Sequence, residues 1–380
     1  MSNVSDLSAA RSRARARRSA GVAADFDPQR LTLARRLAGL KRTEIASAVG
    51  VTPAAITQYE KGVSRPALPV VDQLARTLEV APEFFRLGNP IPPLDADGAH
   101  FRSLRSTTAI EREGALAFAE LALVVFEAVQ RYVELPPVKL ADLDVPSDLG
   151  AQDAIVLARE ARKVMGVQPG PVPNMVRLLE AHGIAVVELG GASHRVDAFS
   201  HRAFGRPIVV LNSFKGDKAR RRFDCAHELG HLVMHHDTEP GSKLVEAQAH
   251  SFAAEFLAPS EELGAELPRR LDWPLLHELK KRWGMSLKAL IVQAFKLEHI
   301  GEATYRRGMK QLSAWGLPEP GALGPPESPV VLPRVLELLE VPDSIDWLTR
   351  ETGLPSKLLS QILESAGGED RRPAVQIDFP

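Results

Sequence analysis

One seven-residue stretch constrains this chain more than any other: Cys225-Ala226-His227-Glu228-Leu229-Gly230-His231, which contains the pattern H-E-x-x-H. Residues four apart on a helix share a face, so His227 and His231 project their imidazoles side by side. Two imidazoles so placed make half of a tetrahedral metal site. Glu228 lies one step round from His227, within reach of a water on such an ion but outside the ligand set. Leu229, Leu232 and Val233 supply the apolar face that would bury the helix. An amphipathic helix carrying two surface histidines is the plainer reading of the same residues, and a third ligand decides between the two.

A catalytic zinc takes three protein ligands and keeps one position open for water. Downstream, Val245, Ala249, Phe252, Ala253 and Phe256 recur at helical spacing, and Pro259 closes the element. Glu246 lies on the edge of that apolar face, at the end nearest the first helix in sequence, where a core helix rarely carries a carboxylate. His250, one turn further on, and His235, one turn past His231, compete for the same role.

Taken together, R-R-F-D-C-A-H-E-L-G-H-L-V-M-H-H and E-A-Q-A-H-S-F-A-A-E-F-L-A-P resemble the ImmA/IrrE family of zinc metallopeptidases. The resemblance implies that His227, His231 and Glu246 hold Zn2+ and that Glu228 is the general base. His250 stands where that family usually has Asn, and Ala258 where it has Met; neither is a ligand position. The implied chemistry is hydrolysis of a peptide bond. Zinc brings the pKa of a water towards ~7 and polarises the scissile carbonyl. Glu228 moves the proton to the leaving amine. A further group should steady the oxyanion. The tyrosines, Tyr59, Tyr132 and Tyr305, all fall outside the catalytic segment. His194, His201, Arg221 and Arg222 are the remaining candidates, each with a surface or structural role as the simpler reading. Strands ahead of an H-E-x-x-H helix give this class of enzyme an edge to which a peptide adds as an extra strand.

The single cysteine, Cys225, excludes an internal disulfide framework and fits a reducing cytoplasm. It lies two residues before His227, on the other side of the helix, and reads as a small buried residue. No run of 18 apolar residues is present, so no membrane span is expected, and residues 1–20 lack the apolar core of a secretory signal. Charge is unevenly placed. Residues 1–90 carry 14 Lys and Arg against 8 Asp and Glu, a net of +6, so the remaining 290 residues sum to −7 for the chain total of −1. The basic end is the nucleic-acid candidate. Arg11, Arg13, Arg15, Arg17 and Arg18 crowd its start, either as an arm on phosphates or a minor groove or as a solvated tail.

Residues 28–87 read as a compact helical unit. Leu33, Ala34, Leu37 and Ala38 mark a first helix ended by Gly39; a second runs from Arg42 to Val49 and ends at Gly50. Thr52 caps a third helix with Pro53 in its first turn, and a fourth spans about Leu68 to Leu78. Two short helices joined by Gly50-Val51-Thr52 form a helix-turn-helix. The stretch E-I-A-S-A-V-G-V-T-P-A-A-I-T-Q-Y-E-K-G-V-S-R-P resembles the Cro/repressor-type (XRE) DNA-binding family. The resemblance puts the third helix in the major groove of double-stranded DNA, with Thr52, Ala54, Ala55, Thr57 and Gln58 exposed near its start. Gln58 suits an adenine edge, and Thr57 a phosphate or a thymine methyl. Arg42 stands where the family usually has Gln and suits a phosphate, while Lys61 and Arg65 add charge beside the groove. Ile56 and Tyr59 read as core. A helix-turn-helix used for dimerisation or partner binding is the alternative.

The expected organisation is a multi-domain, mainly α chain. It comprises a basic arm (1–24), a helix-turn-helix domain (25–88), a linker and long helix (89–149), a zincin-like α+β metallopeptidase domain with a small sheet (150–268) and a helical C-terminal region (269–380). The long helix, from Ile110 to Val133, either packs on the peptidase or forms a dimer seam. Trp273, Leu276, Leu279, Trp283, Leu287 and Leu290 mark a helical core in the last region, where W-G-M-S-L-K-A-L-I-V-Q-A resembles longer members of the peptidase family. The two resemblances imply a regulator fused to an endopeptidase that cleaves a partner protein, a repressor being the family's usual target, in a stress, phage or mobile-element response. Paired half-sites make a homodimer the expected state. Two rivals stand beside this reading. One is a repressor or antitoxin whose peptidase fold serves sensing or partner binding without hydrolysis. The other is a purely structural zinc, with His235 or His250 as a fourth ligand.

Overall fold

The computed structural model describes residues 25–86, 93–95, 99–101, 107–140, 143–146, 148–190, 197–202, 205–213, 217–235 and 242–364. The proposed basic arm and His194 lie outside them. The fold is mainly helical with one small sheet, as the sequence predicts. Among the described residues four helices come first: α1 (Pro28–Ala38), α2 (Arg42–Val49), α3 (Pro53–Glu60) and α4 (Leu68–Thr77). Their ends follow the sequence signals. Asp27 accepts from the Gln29 N–H, Gly39 and Gly50 take the left-handed conformation at the two C-termini, and Thr52 accepts from the Ala55 N–H. Ile45, Ile56, Val71 and Leu74 are fully buried between them, and Tyr59 packs against the same core.

A short 3-10 turn (Pro82–Phe85) and strand β1 (Ala99–Phe101) precede α5 (Ala109–Gln130). The sequence of the intervening stretch gives no sign of β1. Helix α5 is the spine of the molecule. Every residue from Ala115 to Phe126 is buried, the signature of a helix enclosed on all sides. It packs against α1, the sheet and the C-terminal helices named below, which answers the choice left open for it: its apolar face is consumed within the chain.

The central region follows, with α6 (Ala151–Val164), α7 (Met175–Ala181), β2 (Ala185–Leu189), β3 (Ala198–His201), β4 (Ile208–Asn212), α8 (Lys218–Met234) and α9 (Lys243–Leu257). The sheet order is β1-β3-β4-β2; β2 and β4 run parallel, and the other pairs are antiparallel. Alternation along the strands splits the side chains between two cores. Ala185, Val187, Phe199, Ile208 and Val210 join the core around α5. Val186, Ala198, Val209 and Leu211 join the core under α8 and α9. Between α7 and β2 the chain turns at Gly183 (φ +76), where an added Cβ would come within 2.5 Å of the Pro137 carbonyl oxygen. Both the dihedral and the space demand glycine, so Gly183→Ala should cost about 2 kcal/mol or more, readable as a lower urea midpoint.

The described residues end with α10 (Ser260–Glu266), α11 (Trp273–Trp283), α12 (Leu287–Lys296), α13 (Glu302–Trp315), α14 (Val331–Leu338), α15 (Ser344–Thr352) and α16 (Ser356–Glu364). Helices α10 to α13 make a separate core around Trp283, Leu287 and Leu290, as the sequence pattern implies. By contrast, α14 to α16 return to the core around α5 through Leu332, Leu348 and Leu359. Two carboxylates fasten that return. Glu327 accepts from the Met175 and Val176 N–H groups and pairs with Arg222 at 2.5 Å, and Glu180 accepts from the Val330 and Val331 N–H groups. Burial pushes the Glu180 carboxyl up to about 7 against those backbone bonds.

Candidate metal centre

Helix α8 starts at Asp217, whose carboxylate accepts from the Arg220 N–H, and its residues from Cys225 to Met234 are all buried. It lies on β3 and β4 and crosses α9 closely. The close approach depends on Gly230: a Cβ there would sit 3.0 Å from the Phe252 ring of α9. Helix α9 is capped by Ser242, which puts Glu246 in its first turn, opposite the two histidines.

Three side chains converge. His227 Nε2 and His231 Nε2 are 3.1 Å apart; Glu246 Oε2 is 3.4 Å from the first, and Glu246 Oε1 is 3.5 Å from the second. An ion holding tetrahedral ligands at 2.0–2.1 Å separates neighbouring donor atoms by about 3.3 Å. The three separations, two of them to different oxygens of Glu246, lie on either side of that value, so these residues could hold a divalent metal. Burial alone would raise the Glu246 carboxyl. Hydrogen bonds and charge from His227 and His231 outweigh it and hold the group far below the ordinary carboxylate range.

The surroundings of His231 add a second argument. Gln248 Nε2 donates to the Leu149 carbonyl, so its Oε1 is the atom facing His235 Nε2 at 3.0 Å. That oxygen accepts, hence His235 carries its proton on Nε2 and offers a lone pair at Nδ1. His235 Nδ1 lies 3.0 Å from His231 Nδ1, which must therefore donate. With the rings neutral, unlike the charged state in which His227 and His231 draw the Glu246 carboxyl down, the His231 Nε2 lone pair is left pointing at His227 and Glu246, the tautomer a metal ligand needs.

Of the residues that competed in the sequence, Glu246 is the one brought to the histidine pair. His235 lies behind His231 and orients it. His250 is exposed at the rim; its Nδ1 is 2.7 Å from the Glu246 carbonyl, and its ring stands edge-on to His227 at 4.7 Å between centroids. Glu228 is fully buried, and its Oε2 accepts from Ser200 Oγ of β3 at 2.7 Å. The sequence reading missed Ser200, Gln248 and the orienting part played by His235. The available signals were a hydroxyl after apolar Ala198 and Phe199 in a buried strand and a third histidine at helical spacing.

The candidates for steadying an oxyanion lie elsewhere. His201 is on the opposite face of β3 from Ser200, with its Nε2 3.6 Å from Asp95 Oδ1, and burial lowers its pKa. Arg221 forms a buried pair with Glu188, and Arg222 is committed to Glu327. All three have structural partners, in line with the simpler reading of each.

At the other end of the chain, Thr52, Ala54 and Gln58 are exposed along α3, Ala55 and Thr57 are half-buried, and Lys61 and Arg65 are exposed just beyond it. Arg42 remains half-exposed while its Nε meets Glu60 Oε2 at 2.5 Å; the other Glu60 oxygen takes Arg35 at 2.5 Å. The outward face of α3 is therefore polar, with basic groups at its flanks.

Residues 31–85 match the helix-turn-helix family model, and residues 179–294 match a peptidase-family model described as the IrrE N-terminal-like domain. No curated protein matches the chain. No helix among the described residues is long and apolar enough to cross a membrane.

Proposed function

We propose that this chain, which joins a DNA-binding helix-turn-helix to an IrrE-like peptidase-family domain, is a transcriptional regulator with a zinc-dependent endopeptidase. Its substrate would be a regulatory protein, such as a partner repressor, cleaved in a stress, phage or mobile-element response in the cytoplasm. The observation that carries this reading is the convergence of His227 Nε2, His231 Nε2 and Glu246 at tetrahedral spacing. A zinc ion held there supplies Lewis acidity, polarising a carbonyl and acidifying a water. The rest belongs to the protein. Glu228 takes the proton of the attacking water and returns it to the leaving amine. Ser200, donating to Glu228 Oε2, holds that carboxylate to β3. His235 and Gln248 fix His231 in the ligand tautomer.

The test is elemental analysis of protein purified without chelator, beside Glu246→Gln. The expected result is about one zinc per chain, with at least tenfold weaker retention in the variant. No zinc after zinc is supplied would sink the mechanism.

The DNA-binding half reads the major groove through α3, with Gln58 on a base edge and Thr52, Ala54, Ala55, Thr57, Arg42, Lys61 and Arg65 around it. Gln58→Ala should cost about 1–3 kcal/mol on the cognate operator and little on unrelated DNA, measured by fluorescence anisotropy at fixed salt. Unchanged discrimination would remove Gln58 from readout. A homodimer on paired half-sites is part of the same proposal, because modules of this type commonly bind paired half-sites.

A second reading keeps the DNA-binding half and makes the peptidase fold a sensor or partner-binding module. The observation favouring it is burial: His227 and Glu228 are 0 % exposed and His231 is 1 % exposed, which leaves the 22 % exposed Glu246 as the side of the centre that faces solvent in this conformation.

A further inference from the structure

We propose that residues 99–101 of the chain itself occupy, in the resting molecule, the outer edge of β3, the sheet edge where the peptidase reading expects an extended substrate to lie. The inference takes its functional meaning from the peptidase reading, but its physical content is a strand edge that a peptide can take over.

The sheet order puts β1 outside β3, so β3 becomes the edge strand once β1 is removed. Strand β3 also reaches Glu228 of α8, because Ser200 donates to Glu228 Oε2 at 2.7 Å. A polypeptide laid along this edge therefore runs past the general base. Strand β1 already follows that course. It is antiparallel to β3, with Ala99 opposite His201, His100 opposite Ser200 and Phe101 opposite Phe199. The middle residue of β1 thus lies opposite the strand position that touches Glu228. Strand addition is read mainly by backbone groups, so the chain's own segment and a foreign peptide compete for the same edge.

Two further features fit an occupied site. The general base and both histidines are at most 1 % exposed, while the Glu246 side chain is 22 % exposed. Strand β1 has three residues, against the five or six of an ordinary strand, so displacing it gives up only a short pairing. Its approach is also tethered: the Leu94 N–H donates to Glu120 Oε1 at 2.9 Å, and Glu120 is held by Arg36 of α1 at 2.8 Å. Leu94, five positions ahead of β1, is therefore fastened through Glu120 to the first helix of the DNA-binding unit. A three-stranded arrangement open to substrate and the four-stranded one described here are then two states of one sheet.

The experiment uses the full-length chain, supplied with zinc, in a Glu228→Gln background so that the probe is not cut. The probe is a fluorescein-labelled peptide of residues 93–106, followed by anisotropy. Phe101→Pro weakens β1 by removing a backbone donor. The pair Ala99→Cys and His201→Cys pins β1 by a cross-strand disulfide, with the native Cys225 buried out of the way. The expected result is at least tenfold tighter binding by the proline variant than by the parent. The oxidised double-cysteine protein should bind at least tenfold more weakly than its reduced form. Equal binding by parent and proline variant, absence of binding by all forms, or equal binding by oxidised and reduced protein would each overturn the proposal. Should Phe101→Pro not fold, the oxidised and reduced comparison decides alone. Binding here needs no hydrolysis. A chain that docks the peptide but cleaves nothing overturns the peptidase reading, whereas one that cleaves a protein but fails the docking test overturns this one.

Discussion

Glu228→Gln should abolish regulated proteolysis, lowering the hydrolytic rate by roughly 10²–10⁴-fold, while zinc content and operator affinity stay at parental levels. The substitution is nearly isosteric, and the amide oxygen of Gln still accepts from Ser200 Oγ, so the contact between α8 and β3 survives. The three converging donor atoms belong to other residues. What is lost is the ability to take a proton, because an amide is not a base at neutral pH. The measurement pairs zinc analysis and operator binding on purified protein with immunoblots of cellular partner proteins and a reporter for derepression. Loss of cleavage and of derepression together, with zinc retained, is the expected pattern. Derepression that proceeds unchanged in the variant would assign the peptidase fold to sensing or partner binding instead.

The parts of this molecule that rest on local chemistry could be read in the sequence. Gly39, Gly50, Thr52 and Pro53 mark helix ends whose geometry is set within four residues, and the spacing of His227 and His231 fixes a shared face on any helix. The role of Glu246 was narrower: periodicity left His235 and His250 as equals, and family resemblance pointed to one of the three. The structure separates them by depth and direction, since His235 lies behind His231 and His250 at the rim. Long-range pairings were not legible. Strand β1 is three residues, Ala-His-Phe, with no alternation to betray it, and its partner β3 lies about a hundred positions away. The return of α14 to α16 to the core around α5 depends on where Glu180 and Glu327 meet backbone N–H groups, which no periodicity encodes. Glu120 did leave a trace. It is the one charged residue in the otherwise apolar run from Ala115 to Phe126, and a buried carboxylate needs a partner.

That partner is Arg36, and removing it should destabilise the chain by about 3–5 kcal/mol at pH 8, the usual cost of leaving one half of a buried ion pair. Arg36 Nη1 lies 2.8 and 3.1 Å from the two Glu120 oxygens, and the Leu94 N–H adds a bond of 2.9 Å. The side chains of Arg36 and Glu120 are 13 % and 3 % exposed, so water replaces little of what Arg36→Met takes away. Even in the intact chain, burial raises the Glu120 carboxyl against the lowering effect of Arg36 and of its hydrogen bonds. Without the guanidinium, the raised value moves further up. A carboxyl whose pKa is higher in the folded than in the unfolded state favours folding below the unfolded value. That contribution is lost as pH rises through the folded value. The deficit of Arg36→Met should therefore be largest at pH 8 and shrink on acidification to pH 5, in urea melts followed by circular dichroism. Adding Glu120→Leu should recover much of the loss at pH 8, because an apolar pair leaves no charge to desolvate. A deficit below about 1 kcal/mol at pH 8, or one that grows on acidification, would mean that the pair is solvated and that Glu120 is not the latch between α1, α5 and the segment leading into β1.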